Sequence, residues 1–333
     1  MCGITGVCGK YAAYKAMNIT LAQVSRGKMG AGVAWIDRGD SNETKMWMLK
    51  APVDPLVLAV SQHYFSDIVT EQAIGHNRMP SHGAVSKENS HPFYDCKGRF
   101  ALAHNGTIHF SHEDSDILKS LGHKIVGETD SEILTHILCE KMNEGKSMEQ
   151  CLEEVIANDT TLATFVVLMK NGEIWAVKDW MPLHLCKITG SRYGNYTIVA
   201  SETDAIDIGT CDLEGERTFQ IINHGDLVHI LPNGEYTIKE HKEVSKKSGT
   251  KVWESNATYE DCEDYYGKYS KDMIWDVNLQ QWIKPKLSME IVHKAYTPEV
   301  ADRLAKEMDN RVRHRNLPDD KRMDKRAWRR GYE

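Results

Sequence analysis

The chain has 333 residues, of which 41% are apolar and 27% are charged, and its formal net charge at pH 7 is −7. These values are typical of folded globular proteins, and they exclude collagen-like, low-complexity and wholly disordered chains. No apolar run approaches the roughly 20 residues that cross a bilayer, and the N-terminus lacks the features of a secretory signal peptide. We therefore expect a cytoplasmic protein with no membrane segment.

In chain order, the first predicted element is a buried strand within residues 1–8, followed by a helix over 11–24 and a strand over 30–37. Further strands are predicted over 99–104, 164–169, 173–177, 196–200, 219–222 and 226–231, and further helices over 130–143 and 148–156. Asn171-Gly172 and Pro232-Asn233-Gly234 lie between apolar runs and are typical of β-hairpins. The pattern favours an α+β fold with two packed antiparallel sheets over a regular βαβ alternation.

The composition changes near residue 242, where a polar, lysine-rich stretch begins. Aromatic and acidic residues then crowd 253–282, and helical spacing returns over 289–313. We therefore divide the chain into a main domain, 2–242, and an aromatic, charged and partly helical extension, 243–333. The segment 311–333 holds nine Lys/Arg against four Asp/Glu, and a solvated helix end is favoured there over a nucleic-acid contact.

Eight cysteines are spread along the chain without a CxxC pair, and no close Cys/His group has the spacing of zinc ligands. The histidines at 104, 109, 112 and 123 likewise have no acidic partners at metal spacing. The glycines between 27 and 32 match neither a phosphate loop nor a dinucleotide-binding fingerprint. The sequence therefore predicts no disulfide framework, no metal site and no cofactor.

A cysteine follows the initiator methionine. Because its side chain is small, we expect Met1 to be removed, which leaves Cys2 with a free α-amino group. Such an amine has a pKa of about 7.7–8.0 and a free thiol one of about 8.5, so the amine can take the thiol proton. Cys2 would then hold both a nucleophile and its base.

Polar residues farther along the chain fit acyl transfer from an amide. An Asn side chain followed by a Gly backbone N–H, as at Asn105-Gly106, supplies two donors for a developing oxyanion. A free amino acid carries a carboxylate, which a forked guanidinium such as that of Arg78 binds well. Its ammonium group requires a carboxylate, and Asp130 is the candidate.

These motifs resemble, in the right order, the signatures of the class II glutamine amidotransferases, which are N-terminal nucleophile hydrolases. The matching segments are 2–4, 26–32, 75–83, 104–106 and 129–132, and 200–205 is similar to a late Ala-Ser-Glu segment of the family. The resemblance covers about residues 2 to 240. It implies a four-layer αββα sandwich, which agrees with the antiparallel layers expected from the hairpins.

The resemblance also implies roles for individual residues. Cys2 would attack the side-chain amide of glutamine, release ammonia and form a glutamyl thioester that water hydrolyses. Asn105 and Gly106 would form the oxyanion hole. Arg78 would bind the carboxylate of glutamine, and Asp130 would bind its ammonium group.

Three more residues take roles from the same resemblance. Ser81 and His82 would lie on a loop that closes over glutamine, and Arg26 would support the surroundings of the nucleophile. The sequence departs from the family at Met29-Gly30, where Asp-Ser is usual, and at Met79, where a bulky aromatic residue is usual. We expect hydrolysis to survive these changes.

Members of this family usually join the glutaminase to a domain that uses the ammonia. The last 90 or so residues show no phosphate loop and no pyrophosphatase motif. We therefore expect a glutaminase subunit that supplies ammonia to a synthetase on another chain, or a homo-oligomer. Two alternatives stay open: hydrolysis of a γ-glutamyl amide or peptide, and a scaffold protein that keeps the fold without turnover.

Overall fold

A computed structural model of the chain describes residues 1–38, 44–59, 69–81, 83–108, 110, 112–157, 161–240, 274–276 and 281–283. The strands up to residue 240 are β1 Gly3–Cys8, β2 Ala31–Asp37, β3 Lys45–Ala51, β4 Gln72–Asn77, β5 Phe93–Tyr94, β6 Phe100–Ile108, β7 Thr161–Met169, β8 Ile174–Val177, β9 His184–Thr189, β10 Tyr196–Ala200, β11 Glu216–Gln220, β12 Leu227–Ile230 and β13 Tyr236–Lys239. The helices are α1 Ala12–Ala22, α2 Pro55–Ala59, α3 His112–Ser120, α4 Asp130–Asn143, α5 Met148–Ala157 and α6 Thr203–Gly209, with a 3₁₀ turn at Val24–Arg26.

These strands form two antiparallel sheets. One sheet has seven strands in the order β11-β9-β10-β1-β4-β2-β3, and the other has six in the order β13-β12-β8-β7-β6-β5. The β7–β8 and β12–β13 pairs turn at Asn171-Gly172 and at Pro232-Asn233-Gly234, respectively. Both predicted hairpins are therefore confirmed.

The layers follow the order helix, sheet, sheet, helix. Ile4 of the seven-stranded sheet and Val166 of the six-stranded sheet belong to one apolar core between the two sheets. Ile19 of α1 packs in a second core on the outer face of the seven-stranded sheet. Leu138 of α4 and Leu152 of α5 pack in a third core on the outer face of the six-stranded sheet. The predicted αββα sandwich is therefore confirmed.

A glycine lets α1 lie close against the sheet. A Cβ atom added at Gly75 of β4 would stand 2.3 Å from Oγ1 of Thr20 and 2.8 Å from Cγ2 of Thr5. Because no side chain fits between the helix and the strand, residue 75 must be glycine in this packing.

The register of β1 brings the start of the chain into the centre of a sheet. This strand pairs with β10 on one side and with β4 on the other, and Gly3 lies opposite Asn77. Asn77 in turn lies opposite Ala31 of β2. The residues just before β1 and just after β4 therefore meet at one edge of the sheet, and these residues are Cys2 and Arg78.

Most predicted elements are confirmed, with small shifts of their ends. The strand predicted over 99–104 continues to Ile108, and the one predicted over 219–222 lies earlier, at Glu216–Gln220. No strand is predicted at β4, because buried polar residues at Gln72, His76 and Asn77 hide its strand pattern. Strands β3, β5 and β9 and helices α2, α3 and α6 are likewise missing from the predicted elements.

In the predicted extension, the structure describes one antiparallel pair of short strands, Ile274–Asp276 and Gln281–Ile283. The helix predicted over 289–313 and the basic segment 311–333 lie outside the described residues. The division at residue 242 stays a prediction. Within the described part of the chain, none of the helices combines the length and the apolar character needed to span a bilayer.

Candidate active site

A pocket opens at the sheet edge where Cys2 and Arg78 meet. It is lined by Cys2, Arg78, Met79, Pro80, Ser81, His91, His104, Gly106, Thr129, Asp130 and Ser131. Five of the residues singled out in the sequence therefore line one pocket: Cys2, Arg78, Ser81, Gly106 and Asp130. His82 lies outside the described residues.

The thiol of Cys2 contacts the backbone of Met79. The backbone N–H of Met79 donates to Sγ of Cys2 over 3.3 Å, and the thiol lies 3.5 Å from the carbonyl oxygen of the same residue. Burial raises the pKa of this thiol above its ordinary value. The thiol therefore stays protonated near neutral pH, and its use as a nucleophile requires a base.

The side chain of Arg26 forms a hydrogen bond with the backbone of Cys2. Its Nε donates to the carbonyl oxygen of Cys2 over 2.8 Å, and its Nη1 lies 3.3 Å from Oε1 of Glu202. Ser201 holds the start of β1, because its Oγ accepts from the backbone N–H of Ile4 over 3.0 Å. The Ala-Ser-Glu segment thus supports the backbone around Cys2, a role that its spacing in the sequence did not indicate.

Two glycines allow three chain segments to meet beside Cys2. A Cβ atom at Gly3 would stand 2.2 Å from Oδ1 of Asn77, and one at Gly27 would stand 2.4 Å from the carbonyl carbon of Arg78. Asn77 joins these segments, since its Nδ2 donates to the carbonyl oxygens of Gln23 and Gly27. The Arg-Gly motif therefore makes a close approach to β4.

The guanidinium group of Arg78 is held by the loop that follows it. Nη1 donates to the carbonyl oxygen of Ala84 over 2.8 Å, and Nη2 donates to that of Gly83 over 3.3 Å. Asn89 ties this loop to the segment before α4, because its Nδ2 donates to the Ala84 carbonyl and its Oδ1 accepts from the Glu128 N–H. Loop residues thus set the direction of the Arg78 side chain.

Asn105 and Gly106 lie on β6. The side chain of Asn105 is buried, and its Nδ2 has no hydrogen-bond partner among the residues that the structure describes. Gly106 has a φ of +145°, a conformation that side-chain-bearing residues rarely adopt. A buried amide donor without an acceptor is costly, so an oxygen atom bound here would stabilise the site.

Asp130 is the first residue of α4 and faces the same pocket. The Thr129 side chain caps the helix by accepting from the backbone N–H of Glu132. One carboxylate oxygen of Asp130 accepts from the backbone N–H of Ile108 over 2.8 Å, and the other accepts from Oγ of Ser131 over 3.1 Å. These bonds fix a negative charge at the pocket wall.

Three buried histidines lie at or next to the pocket, and two of them, His91 and His104, line it. The rings of His76 and His91 stack with their centroids 3.9 Å apart, and Nδ1 of His91 accepts from the backbone N–H of His104 over 3.2 Å. Burial lowers the pKa of all three, and that of His76 to about 3. They are therefore neutral at physiological pH, as expected of histidines in a core.

Comparison with known proteins identifies the family to which the chain belongs. Residues 1–191 match the family model of the class-II glutamine amidotransferases. A glutamine–fructose-6-phosphate aminotransferase from Methanococcus maripaludis is 36% identical over 246 residues, covering 68% of this chain and 40% of that protein. One from Sulfurisphaera tokodaii is 32% identical over 241 residues, covering 71% and 38%. An amidophosphoribosyltransferase from Methanothermobacter thermautotrophicus is 32% identical over 167 residues, covering 50% and 34%.

Solved structures show the same fold. An allosteric regulatory enzyme of purine biosynthesis superposes with a TM-score of 0.58 at 21% identity, covering 72% of this chain and 48% of that one. A glutamine phosphoribosylpyrophosphate amidotransferase from B. subtilis gives a TM-score of 0.56 at 23% identity, covering 72% and 49%.

The chain belongs to the class II glutamine amidotransferases, a family of N-terminal nucleophile enzymes, and the resemblance found in its sequence is confirmed. It spans about two fifths of the length of the two glutamine–fructose-6-phosphate aminotransferases described above.

Proposed function

We propose that this protein hydrolyses the side-chain amide of L-glutamine with Cys2 as its nucleophile, and that it supplies the ammonia to a synthetase. The observation that carries this proposal is the pocket itself, because Cys2, Arg78 and Asp130 all line it. Family membership supports the same function.

The charges of the pocket match those of a free amino acid. A carboxylate is bound best by a forked guanidinium, and Arg78 presents one that its loop already orients. An ammonium group pairs with a carboxylate, and that of Asp130 is fixed at the first turn of α4. We assign the α-carboxylate of glutamine to Arg78 and its α-ammonium to Asp130, with Ser81 on the loop that covers the substrate.

The reaction begins once Met1 has been removed. The α-amino group of Cys2 takes the thiol proton, and Sγ bonds to the amide carbon of glutamine. The negative charge then forms on the amide oxygen, where Nδ2 of Asn105 and the backbone N–H of Gly106 donate. The unpartnered Nδ2 of Asn105 supports this assignment.

Collapse of this intermediate breaks the carbon–nitrogen bond. The protonated amine of Cys2 gives its proton to the leaving nitrogen, so that ammonia departs and a glutamyl thioester remains. Water then attacks the thioester with the same amine as base, which releases glutamate and restores the thiol. The raised pKa of the Cys2 thiol is consistent with this requirement for a base.

Ammonia is largely protonated in water near neutral pH, and ammonium does not act as a nucleophile. We therefore propose that the ammonia passes directly to a synthetase partner or to a site formed with a second copy of this chain. Glutamine hydrolysis should accelerate when the correct acceptor system is added.

The proposal is tested by measuring ammonia release from glutamine by the full chain. Cys2→Ala should lower kcat by about a thousandfold or more, as the removal of a covalent nucleophile does. Cys211→Ala is the matched control, because Cys211 is exposed and away from the pocket lining, and it should keep full activity. A Cys2→Ala protein with unchanged activity would refute the proposal.

The leaving group is tested in the same assay. Glutamine should give a higher kcat/KM than γ-glutamyl dipeptides, which share its carboxylate and ammonium groups but carry a larger leaving group. The opposite order would identify a γ-glutamyl peptide hydrolase.

A further inference from the structure

A second cluster of reactive side chains lies apart from the pocket lining. Cys96 stands in the turn between β5 and β6, and His123 stands in the segment between α3 and α4. His136 and Cys139 lie three residues apart on α4, and this spacing places them on one face of the helix. The fold therefore brings two thiols and two imidazoles together from three separate segments.

Three atoms of this cluster form a nearly equilateral triangle. Sγ of Cys96 lies 3.2 Å from Nδ1 of His123 and 3.2 Å from Nδ1 of His136, and the two Nδ1 atoms are 3.3 Å apart. Tetrahedral zinc with Zn–N bonds of about 2.0–2.1 Å and Zn–S bonds of about 2.3 Å separates two nitrogens by about 3.3 Å and nitrogen from sulfur by about 3.6 Å. The two nitrogens have the separation of one edge of such a tetrahedron, and the sulfur lies about 0.4 Å closer to each nitrogen than the ideal geometry places it.

Cys139 lies beside this triangle. One ligand atom from each of Cys96, His123 and Cys139 lies within 4.8 Å of the others. Cys139, His123 and His136 are buried, whereas Cys96 is exposed. An ion therefore has a route from solvent past Cys96 into an otherwise enclosed site.

The surroundings support metal ligands at these positions. Nε2 of His123 lies 3.0 Å from Oε2 of Glu140, which leaves Nδ1 of the same ring directed at the cluster. Carboxylates commonly orient metal-binding histidines in this way. On the other side, Nη2 of Arg99 donates to Sγ of Cys139 over 3.3 Å, a bond that stabilises a thiolate.

Zinc binds cysteine as a thiolate and histidine as a neutral ring. On binding, the two thiol protons pass to solvent and the sulfurs bind as thiolates.

We propose that Cys96, His123, His136 and Cys139 bind one divalent cation of the zinc type. Two sulfurs and two nitrogens in tetrahedral array are the ligand set that zinc favours in structural sites, where four protein ligands leave no open position. The ion joins the β5–β6 turn to α4, the helix whose first residue, Asp130, lines the pocket. Its function is to fix α4, and it takes no part in chemistry on substrate.

The proposed site departs from the expectation of no metal site, and the spacing of its ligands in the sequence explains why it was not predicted. Cys96 and His123 are 27 residues apart, and His123 and His136 are 13 residues apart. Such spacing does not form the compact pairs by which zinc sites are recognised in a sequence. The ligands converge only because β5, β6 and α4 pack together.

The metal is tested by elemental analysis of the full chain, purified under reducing conditions from zinc-supplemented medium. Wild-type protein should hold about one zinc ion per chain, and Cys96→Ser and Cys139→Ser should lose most of it. Cys211→Ser and Cys2→Ala are the matched controls and should keep it, which separates this site from the proposed nucleophile.

Cobalt substitution of the wild-type chain provides a readout that needs no variant to fold. Co²⁺ in the site should give the visible bands of a tetrahedral ion and a thiolate-to-cobalt charge-transfer band, and zinc should abolish both. Wild-type protein that holds no stoichiometric zinc and gives no such spectrum would overturn the proposal. Zinc retained in full by both cysteine variants would overturn it as well.

Discussion

The backbone N–H of Met79 donates a hydrogen bond to the sulfur of Cys2 over 3.3 Å. The side chain of residue 79 differs from the aromatic residue usual in the family, yet this contact depends only on the backbone. We therefore expect Met79→Leu to keep kcat for glutamine within about threefold, since the variant keeps the backbone donor and an apolar side chain of similar volume.

Met79→Pro removes the donor and should lower kcat by about fivefold, because a net hydrogen bond contributes about 1 kcal/mol. Steady-state kinetics on both variants, with circular dichroism to confirm that they fold, provide the measurement. Equal rates in the two variants would show that the backbone donor is irrelevant to the thiol.

We expect Arg26 to act as a positioning residue, because it contacts the backbone of Cys2 and the carboxylate of Glu202. Arg26→Ala should lower kcat about 10- to 100-fold while KM for glutamine changes little, since a displaced nucleophile loses its alignment but the amino-acid contacts remain. Arg26→Lys should recover part of the rate. A rise in KM with an unchanged kcat would contradict this role.

Asp130 is expected to act on binding. Asp130→Asn should raise KM for glutamine about 10- to 100-fold, because the variant replaces a hydrogen bond between charged groups with one to a neutral amide. A glutamine analogue without the α-amino group should be handled equally by the variant and the wild type.

Asp116→Asn, on the exposed surface of α3, is the control for the Asp130 variant and should leave KM unchanged. If Asp130→Asn and the wild type discriminate equally between glutamine and the analogue without the α-amino group, the ammonium group binds elsewhere.

His76 makes stability depend on pH. Burial lowers its pKa from 6.5 to about 3. Between pH 3 and pH 6.5, the ring therefore binds a proton in the unfolded chain but stays neutral in the folded chain. The stability contributed by the neutral ring is present above pH 6.5 and is lost as the pH falls towards 3.

His76→Gln should therefore reduce the slope of unfolding free energy against pH, between pH 4 and 6, by about 1.4 kcal/mol per pH unit. Urea denaturation over this range measures the slope. An identical slope in the variant would mean that His76 is protonated in the folded state.

Some of this architecture could be predicted from sequence because its signals are local. Asn171-Gly172 specifies a turn through the backbone preference of its own residues, and the apolar residues around Ile4 specify a buried first strand. The residues of the pocket were found because short motifs such as Asn105-Gly106 keep neighbouring groups together. Their meeting in one pocket depends on strand register and could not be obtained from spacing.

Other features required the tertiary structure. Strand β4 is buried on both faces yet contains Gln72 and His76, so neither alternation nor a continuous apolar run marks it. The stack of His76 on His91 and the group formed by Cys96 with His136 each join residues from separate elements. The hydrophobic periodicity of a sequence does not predict contacts between residues of separate elements.

The central claim is that Cys2, freed of Met1, is the nucleophile for a bound amino acid. Its most direct test is the intact mass of the purified chain, followed by peptide mapping after reaction with an electrophilic analogue of glutamine. We predict a mass lacking Met1 and a single adduct on Cys2, with free glutamine protecting against it. Retention of Met1, or a Cys2 that stays unmodified while the analogue is in excess, would contradict the mechanism.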